Sequence, residues 1–346
     1  MQILENVPLA PMTTLQVGGP ARYLAQSGSA AEVRDAVDWA GSRQLPLFVL
    51  GGGSNLVVAD NGFRGLVLRV CIRGFELRDE NERAIIEAGA GECWDELVSR
   101  AVAAGCAGVE CLSGIPGTVG ATPVQNVGAY GQEVADTITE VQALDLRDGQ
   151  LHRLGNEACG FQYRGSIFNT SERGRFIILR VTYALKPGGA PCLTYRDLKE
   201  YFAGEGARAT LAQVRQAVRE IRHAKAMLLV EGDEDARSAG SFFKNPVLDA
   251  AACDRLVRAT GGCLPSYPAP GLRRKVPAAW LLEHAGFCKG YSRGSVGISR
   301  KHALAIVNRG GATAAEIVAL KNDIQAAVRD KFGIELVPEP VFVGFQ

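Results

Sequence analysis

The sequence lacks most of the features that assign a protein quickly. Only four of its 346 residues are histidine (His152, His223, His284, His302), and they show neither H-E-x-x-H nor any other ligand spacing, so no metal centre is expected. Nine cysteines are scattered singly, Cys106 and Cys111 being the nearest pair, and no C-x-x-C occurs. That usage points to reduced thiols in a cytoplasmic protein rather than to a disulfide framework. The formal net charge is +1, which offers no footprint for nucleic acid or an anionic membrane. No apolar run approaches the roughly 20 residues of a membrane span. The opening MQILENVPLA lacks the basic-then-apolar pattern of a secretory signal. G-x-G-x-x-G and G-x-x-x-x-G-K-[ST] are both missing, which argues against a Rossmann unit and a P-loop. G-x-S-x-G is missing too, so no nucleophile elbow is expected.

What is abundant is glycine, 41 residues against a background of about 7%. Length favours two or three domains. Helical spacing runs through SAAEVRDAVDWAGSRQL (Val33, Ala36, Val37, Ala40) and CWDELVSRAVAAG. It recurs in TLAQVRQAVREIRHAK, KVPAAWLLEHAG and TAAEIVALKNDIQAAVRDKFG. Thr210 with Gln213, and Thr313 with Glu316, form capping boxes, and Gly333 is a stop. PLFVL, GLVLRV, RAIIEAGAG, RFIILRVTYAL, HALAIVN and IELVPEPVFVGF read as strands. TTLQVGGPARYL reads as a strand bent by close backbone approach at Gly18-Gly19-Pro20, and EVQALDLRDGQLHRL as a hairpin turning at Asp148-Gly149. RSAGSFFKNP reads as a largely buried strand in which the Ser241 hydroxyl needs a partner or a purpose. Lys186-Pro187-Gly188-Gly189 is the clearest boundary. The irregular mixture implies an α+β protein.

Two glycine-rich stretches stand out. GGGSN (Gly51, Gly52, Gly53, Ser54, Asn55) follows a strand and could present consecutive N–H groups as an anion nest, or could be a plain turn. SGIPGTVGATPVQNVGAYG, from Ser113 to Gly131, is too rich in Gly and Pro for a regular element and too apolar for a solvated linker. Together they suit a pyrophosphate held by backbone. Tyr163-Arg164, on a strand-like segment, is either a surface pair or a donor fork for a carboxylate. Ser241 could be satisfied by neighbouring backbone, and Glu339 could be an exposed edge-strand carboxylate between prolines. Arg222 and Lys225 could simply serve the dipole at the end of their helix.

Taken in order, TTLQVGGPA, VLGGGSNLVVAD, SGIPGTVGATPVQNVGAYG, FQYRGSIF, IRHAK, RSAGSFFKNP, HALAIVN and LVPEPVFVG closely resemble the MurB family. These are the UDP-N-acetylenolpyruvoylglucosamine reductases of bacterial peptidoglycan synthesis. The resemblance covers about Thr13 to Gly344. It implies an FAD-binding portion of the vanillyl-alcohol-oxidase (PCMH) type over residues 1–187, with subdomains of about 1–70 and 71–187. A connecting region 188–209 and a substrate-binding domain 210–346 would follow, the last strand reaching the active site.

The implied cofactor is non-covalent FAD, with NADPH as hydride-donating co-substrate and a UDP-sugar as substrate, the two alternating in one pocket. By match of motif, Gly51 to Asn55 and Ser113, Gly114, Ile115, Pro116, Gly117 and Gly120 would cradle the pyrophosphate. Asn126, Gly128, Ala129, Tyr130 and Gly131 would complete the flavin site. The resemblance implies hydride transfer from flavin N5 to the vinyl carbon, then a proton from Ser241 to C2. Arg164 and a protonated Glu339 would stabilise the charge between those steps. Tyr163, Arg222, Lys225 and Asn245 match substrate-side positions, and Tyr195 resembles the mobile-loop tyrosine of the longer, type I subtype. The chain departs from the family pattern in the acidic run after Lys225 and in Pro340 beside Glu339, which removes a backbone donor. A flavin- or nucleotide-sugar-binding sensor without turnover, and a PCMH-type oxidase using O₂, remain as alternatives. No protein partner, nucleic acid or membrane insertion is implied.

Overall fold

The structure, a computed structural model, describes residues 1–203, 209–262 and 264–345. The chain divides into two compact units. The first comprises Met1–Val7, Ala21–Gly53 and Arg64–Leu228, and the second Pro8–Pro20, Ser54–Phe63 and Leu229–Gln346. This differs from the division read in the sequence. The Leu211–Ala224 helix belongs to the first unit, and two early segments join the second. The helix moves because Val214, Ala217 and Val218 pack with Cys111, Tyr130, Leu198 and Phe202. Part of the expected connecting region, 204–208, lies outside the described residues, as does Cys263; the other eight cysteines are free thiols.

In the first unit, four strands order as Ile3–Pro8, Pro20–Ser27, Phe63–Val70 and Leu47–Leu50, the last two parallel. The Ala30–Ser42 helix, capped by the Ser29 side chain, buries Val33, Ala36 and Ala40. The second sheet orders Leu151–Gly155, Ile138–Asp145, Phe176–Pro187, Arg83–Gly89 and Phe75–Glu80, all antiparallel. Its hairpin turns at Asp148-Gly149, as the sequence indicates, with Leu144 opposite Leu151. Alternate residues Ile177, Leu179, Val181 and Tyr183 are buried against Trp94, Leu97 and Val98.

Two core aromatics tether the Gly/Pro-rich segment. The Trp94 indole N–H donates to the Leu112 carbonyl (3.1 Å), and Thr122 Oγ1 lies 2.9 Å from the Tyr183 hydroxyl. The segment is thereby pinned just before its start and at its middle.

The second unit is built around Phe242, Phe243, Leu281, Ile298 and the stripe Ala314, Ile317, Leu320, Ile324 and Val328. That stripe belongs to the Ala314–Phe332 helix, which has its Thr313/Glu316 capping box and ends at Gly333 with φ 66°. Asp60 Oδ1 and Oδ2 accept from the N–H groups of Ala314 and Ala315 (2.7 and 2.9 Å). The Val341–Val343 strand pairs in parallel with Leu56–Val58, so the chain's end joins an early segment. HALAIVN and IELVPEPVFVGF are strands only over Ile306–Asn308 and Val341–Val343. Among the described residues, no helix is long and apolar enough to cross a membrane.

Candidate active site

In the first unit the two glycine loops meet. Gly51 to Gly53 follow the Leu47–Leu50 strand, and a Cβ on Gly52 would lie 2.5 Å from the Gly117 Cα. Only glycine allows that approach. The segment is not a uniform nest of free donors, however. The Gly114 N–H donates to Asp95 Oδ1 (2.6 Å) and the Gly120 N–H to the Ala90 carbonyl (2.9 Å). Gly120 is needed for packing, since a Cβ there would meet that of Ala90 at 2.6 Å. The fully buried Ser113 donates its hydroxyl to the Glu110 carbonyl (2.6 Å). Any anion held here is therefore held by the remaining backbone around Gly52 and Gly117, with Ile115 and Pro116 between the tethered positions.

The 126–131 stretch is tied to the Tyr163-Arg164 pair. Asn126 donates to Glu133 Oε2 (2.7 Å) and accepts from the Ala135 N–H (3.1 Å). Arg164 Nη1 donates to the Gly128 carbonyl (2.9 Å). Tyr163-Arg164 is not strand-like. Gln162 and Gly165 exchange both backbone hydrogen bonds, which puts the pair at the tip of a tight turn. Asn126, Tyr130 and Arg164 all have left-handed φ (44°, 48° and 54°), a conformation that costs non-glycine residues and gathers at functional sites.

Tyr130 organises the candidate substrate residues of this unit. Its ring lies edge-on to Tyr195 (5.4 Å), and Lys225 Nζ sits 5.9 Å from its centroid. Burial pushes the Tyr130 hydroxyl's pKa upward, against the opposing pull of Arg222 and Lys225. Lys225 pairs with Asp197, in the short helix that begins after Tyr195. Arg222, whose motif implied a diphosphate contact, also braces the chain around it. Its side chain is buried, and its guanidinium donates to the carbonyls of Gly114 (3.2 Å) and Met227 (2.6 Å), bracing the loop. Asp95, unremarked in the sequence, links that loop to the helix through Arg215 (2.6 and 3.0 Å) and Arg219 (2.6 Å).

In the second unit, RSAGSFFKNP is not a regular strand. It is an extended run that bends at Gly240 (φ 74°) and makes single bridges, Ser238 with Val307 and Phe243 with Pro338. The Glu339 N–H donates to the Phe242 carbonyl and the Lys244 N–H to the Val337 carbonyl, both 2.9 Å. This antiparallel pairing sets Glu339 opposite Phe242, the residue after Ser241. Phe242 and Phe243 are buried as expected, whereas Ser241 and Glu339 are half-buried. Ser241 Oγ lies 3.0 Å from His302 Nε2, a partner the sequence did not disclose.

Asn55 and Asn245 are committed to local structure. Asn55 Nδ2 donates to the Glu339 carbonyl (3.2 Å), and its own carbonyl accepts from the Val341 N–H (2.9 Å). Ser54 accepts from Thr14 Oγ1 at 3.4 Å. Asn245 Oδ1 accepts from the Ala278 N–H (2.9 Å), capping a helix whose N-cap Pro277 has no side chain to do so.

Comparison with known proteins identifies the two parts. Residues 21–155 match the FAD binding domain family, and residues 233–343 match the C-terminal domain of UDP-N-acetylenolpyruvoylglucosamine reductase. The reductase of that name from Streptomyces coelicolor is 46% identical over 99% of this chain and 91% of its own. The one from Thermobifida fusca is 45% identical over 98% of each. This chain belongs to the UDP-N-acetylenolpyruvoylglucosamine reductase family. The crystal structure of the Thermus caldophilus reductase (MurB) superposes with a TM-score of 0.68 at 28% identity, covering 99% of both chains. The family's FAD-binding region takes in both glycine loops, and its C-terminal region takes in Ser241, His302 and Glu339. The close approach of Gly52 to Gly117 fits a cofactor whose pyrophosphate lies against bare backbone.

The residues that local pattern failed to reveal are Asp95, Asp197, Glu110 and His302. The buried Glu110 carboxylate accepts from the N–H groups of Gly108 and Cys192 and from Gln132 Nε2, all at 2.8–2.9 Å. Each of these partners is distant in sequence or of ordinary type, so no spacing rule marks them. Asp95 and His302 lay in quoted stretches, where CWDELVSRAVAAG read simply as a helix and HALAIVN simply as a strand.

Proposed function

We propose that the protein reduces the enolpyruvyl ether of UDP-N-acetyl-3-O-(1-carboxyvinyl)-glucosamine to the lactyl ether of UDP-N-acetylmuramate, with NADPH as reductant. The observation that carries the reading is the pairing of residues 242–244 with 337–339, which joins the backbone segments carrying Ser241 and Glu339 within the region matching the reductase C-terminal domain. FAD, held by the glycine loops around Gly52 and Gly117, would supply the two-electron redox chemistry between NADPH and the vinyl ether. In this reading Ser241 releases its proton to C2, for which a weak acid suffices because the carbon is strongly basic. Glu339, protonated, donates a hydrogen bond to the substrate carboxylate as charge accumulates there. Arg164 offers that carboxylate a fixed cationic donor, and Tyr163 lines the same side. Tyr195 and Lys225 hold the diphosphate, and Arg222 keeps the loop beneath them in place. Reaction on a nucleotide-linked sugar fits the cytoplasmic setting that the cysteines suggested, the two co-substrates taking turns.

Anaerobic mixing tests this reading. NADPH should bleach the yellow protein, and the enolpyruvyl sugar should then restore its colour without air. Recovery only on admitting O₂ would mean an oxidase, and no bleaching would mean a binding protein.

A further inference from the structure

We propose that His302 is a positioning residue for this reaction: its Nε2–H donates to the Ser241 hydroxyl and so keeps the hydroxyl's one hydrogen available to the substrate. The inference rests on the reading of Ser241 as proton source. Both partners are set by backbone, independently of any ligand. His302 lies in the loop between the strands Val296–Ile298 and Ile306–Asn308. Its N–H donates to Ser299 Oγ (3.2 Å) and its carbonyl accepts from the Ala305 N–H (3.2 Å). Ser299 is fully buried, and its own N–H donates to the Ala305 carbonyl (2.9 Å). The same loop grips the serine segment, because the Phe242 N–H donates to the Leu304 carbonyl (2.8 Å). One hydrogen-bonded frame thus holds the two backbones from which Nε2 and Oγ come within 3.0 Å of each other.

The direction of that hydrogen bond decides what the serine can do. A hydroxyl carries one hydrogen and two lone pairs. If Ser241 donated to Nε2, its hydrogen would face away from the substrate, and the pair would resemble an activated nucleophile. With the hydrogen on Nε2 the hydroxyl accepts from the imidazole and still has its own proton to give. As that proton forms the C2–H bond, the electron pair of the broken O–H bond stays on Oγ. There the hydrogen bond from Nε2 becomes charge-assisted and holds the oxygen until solvent returns a proton.

Two measurements on the FAD-loaded protein test the assignment. ¹⁵N-resolved NMR of the His302 ring should show a pyrrole-type Nε2 carrying hydrogen, and a pyridine-type Nε2 would overturn the proposal. In anaerobic stopped-flow, His302→Ala should leave reduction by NADPH unchanged and slow reoxidation by the enolpyruvyl sugar by about 10²-fold, the usual worth of a positioned proton donor. Half-saturation should not move, and His302→Gln, whose amide can still donate, should recover most of the rate. A raised half-saturation with an unchanged limiting rate would make His302 a binding residue instead. A Gln variant as slow as the Ala variant would also overturn the proposal. If the reduced wild-type protein is not reoxidised by the sugar at all, the proposed function fails, whereas the NMR result still reports the direction of the bond.

Discussion

Arg164 Nη1 donates to the Gly128 carbonyl across 2.9 Å, although Arg164 holds an unfavourable left-handed backbone (φ 54°) at the tip of its turn. Glycine would relieve a conformational cost of about 1 kcal/mol there and forfeit a hydrogen bond of similar worth. Arg164→Gly is therefore expected to leave unfolding in urea within about 1 kcal/mol of wild type. Turnover should fall by about 10²-fold or more, the usual loss on removing a charge-stabilising donor. A large loss of stability would mean that the residue is retained for the fold.

The contact between the glycine loops gives a sharper test of cofactor binding. A Cβ on Gly52 would lie 2.5 Å from the Gly117 Cα and 3.3 Å from the Thr118 nitrogen, which are backbone atoms that cannot swing aside. Gly52→Ala should thus be purified colourless or with weakly held flavin, read from the ratio of visible to protein absorbance. Gly149→Ala is the control. Its φ is 69° but nothing lies within 4 Å, so it should cost about 1–2 kcal/mol of stability and leave the flavin content unchanged.

The contrast between those glycines shows what a sequence can disclose. Helix ends were legible because they are local: Thr210 with Gln213, and Thr313 with Glu316, carry their caps within four residues. The Asp148-Gly149 turn is equally local. RSAGSFFKNP misled because its adjacent aromatics suit a buried strand, while the segment is held by single bridges to Val307 and Pro338. The membership of Pro8–Pro20 and Ser54–Phe63 in the second unit was invisible. It depends on long-range pairings such as Val341 with Leu56 and Asn308 Nδ2 with the Leu15 carbonyl (3.1 Å). Ser241, Arg164 and Glu339 were singled out by motif order. The burial of Arg222 and the histidine beside Ser241 were not, because both are properties of packing.

Asp95 should make the glycine-loop region sensitive to acid. Burial alone would raise its pKa, but hydrogen bonds from Arg215 and the Gly114 N–H, with Arg219 nearby, outweigh that and lower it. A carboxylate whose folded pKa is depressed stabilises the protein above its unfolded value, near 3.9, and loses that contribution as pH falls through the folded one. Asp95→Asn is expected to cost about 1.5–3 kcal/mol at neutral pH, the worth of hydrogen bonds to a charged group. The difference from wild type should shrink below about pH 4. Urea unfolding of both proteins at several pH values measures it, and a pH-independent difference would assign the cost to lost shape rather than lost charge.

The thiols offer a last test, of the packing under Tyr130. Cys111 shares a cluster with Tyr130 and Val214, and its Sγ lies 3.2 Å from the Cys192 carbonyl oxygen, to which it donates. Burial, reinforced by Glu110, pushes this thiol far above its usual range, and burial alone pushes Cys159 up to about 11. Since the thiolate is the reactive form, neither should alkylate in the folded protein at mildly alkaline pH, whereas the exposed Cys288 should. Iodoacetamide labelling read by peptide mass spectrometry should therefore mark Cys288 early, and Cys111 and Cys159 only on unfolding. Labelling of Cys111 at the rate of Cys288 would show that the segment from Cys192 to Tyr195 opens without global unfolding. The edge-on contact of Tyr195 with Tyr130 would then be one closed position of a moving element, and the substrate should slow the labelling as it binds.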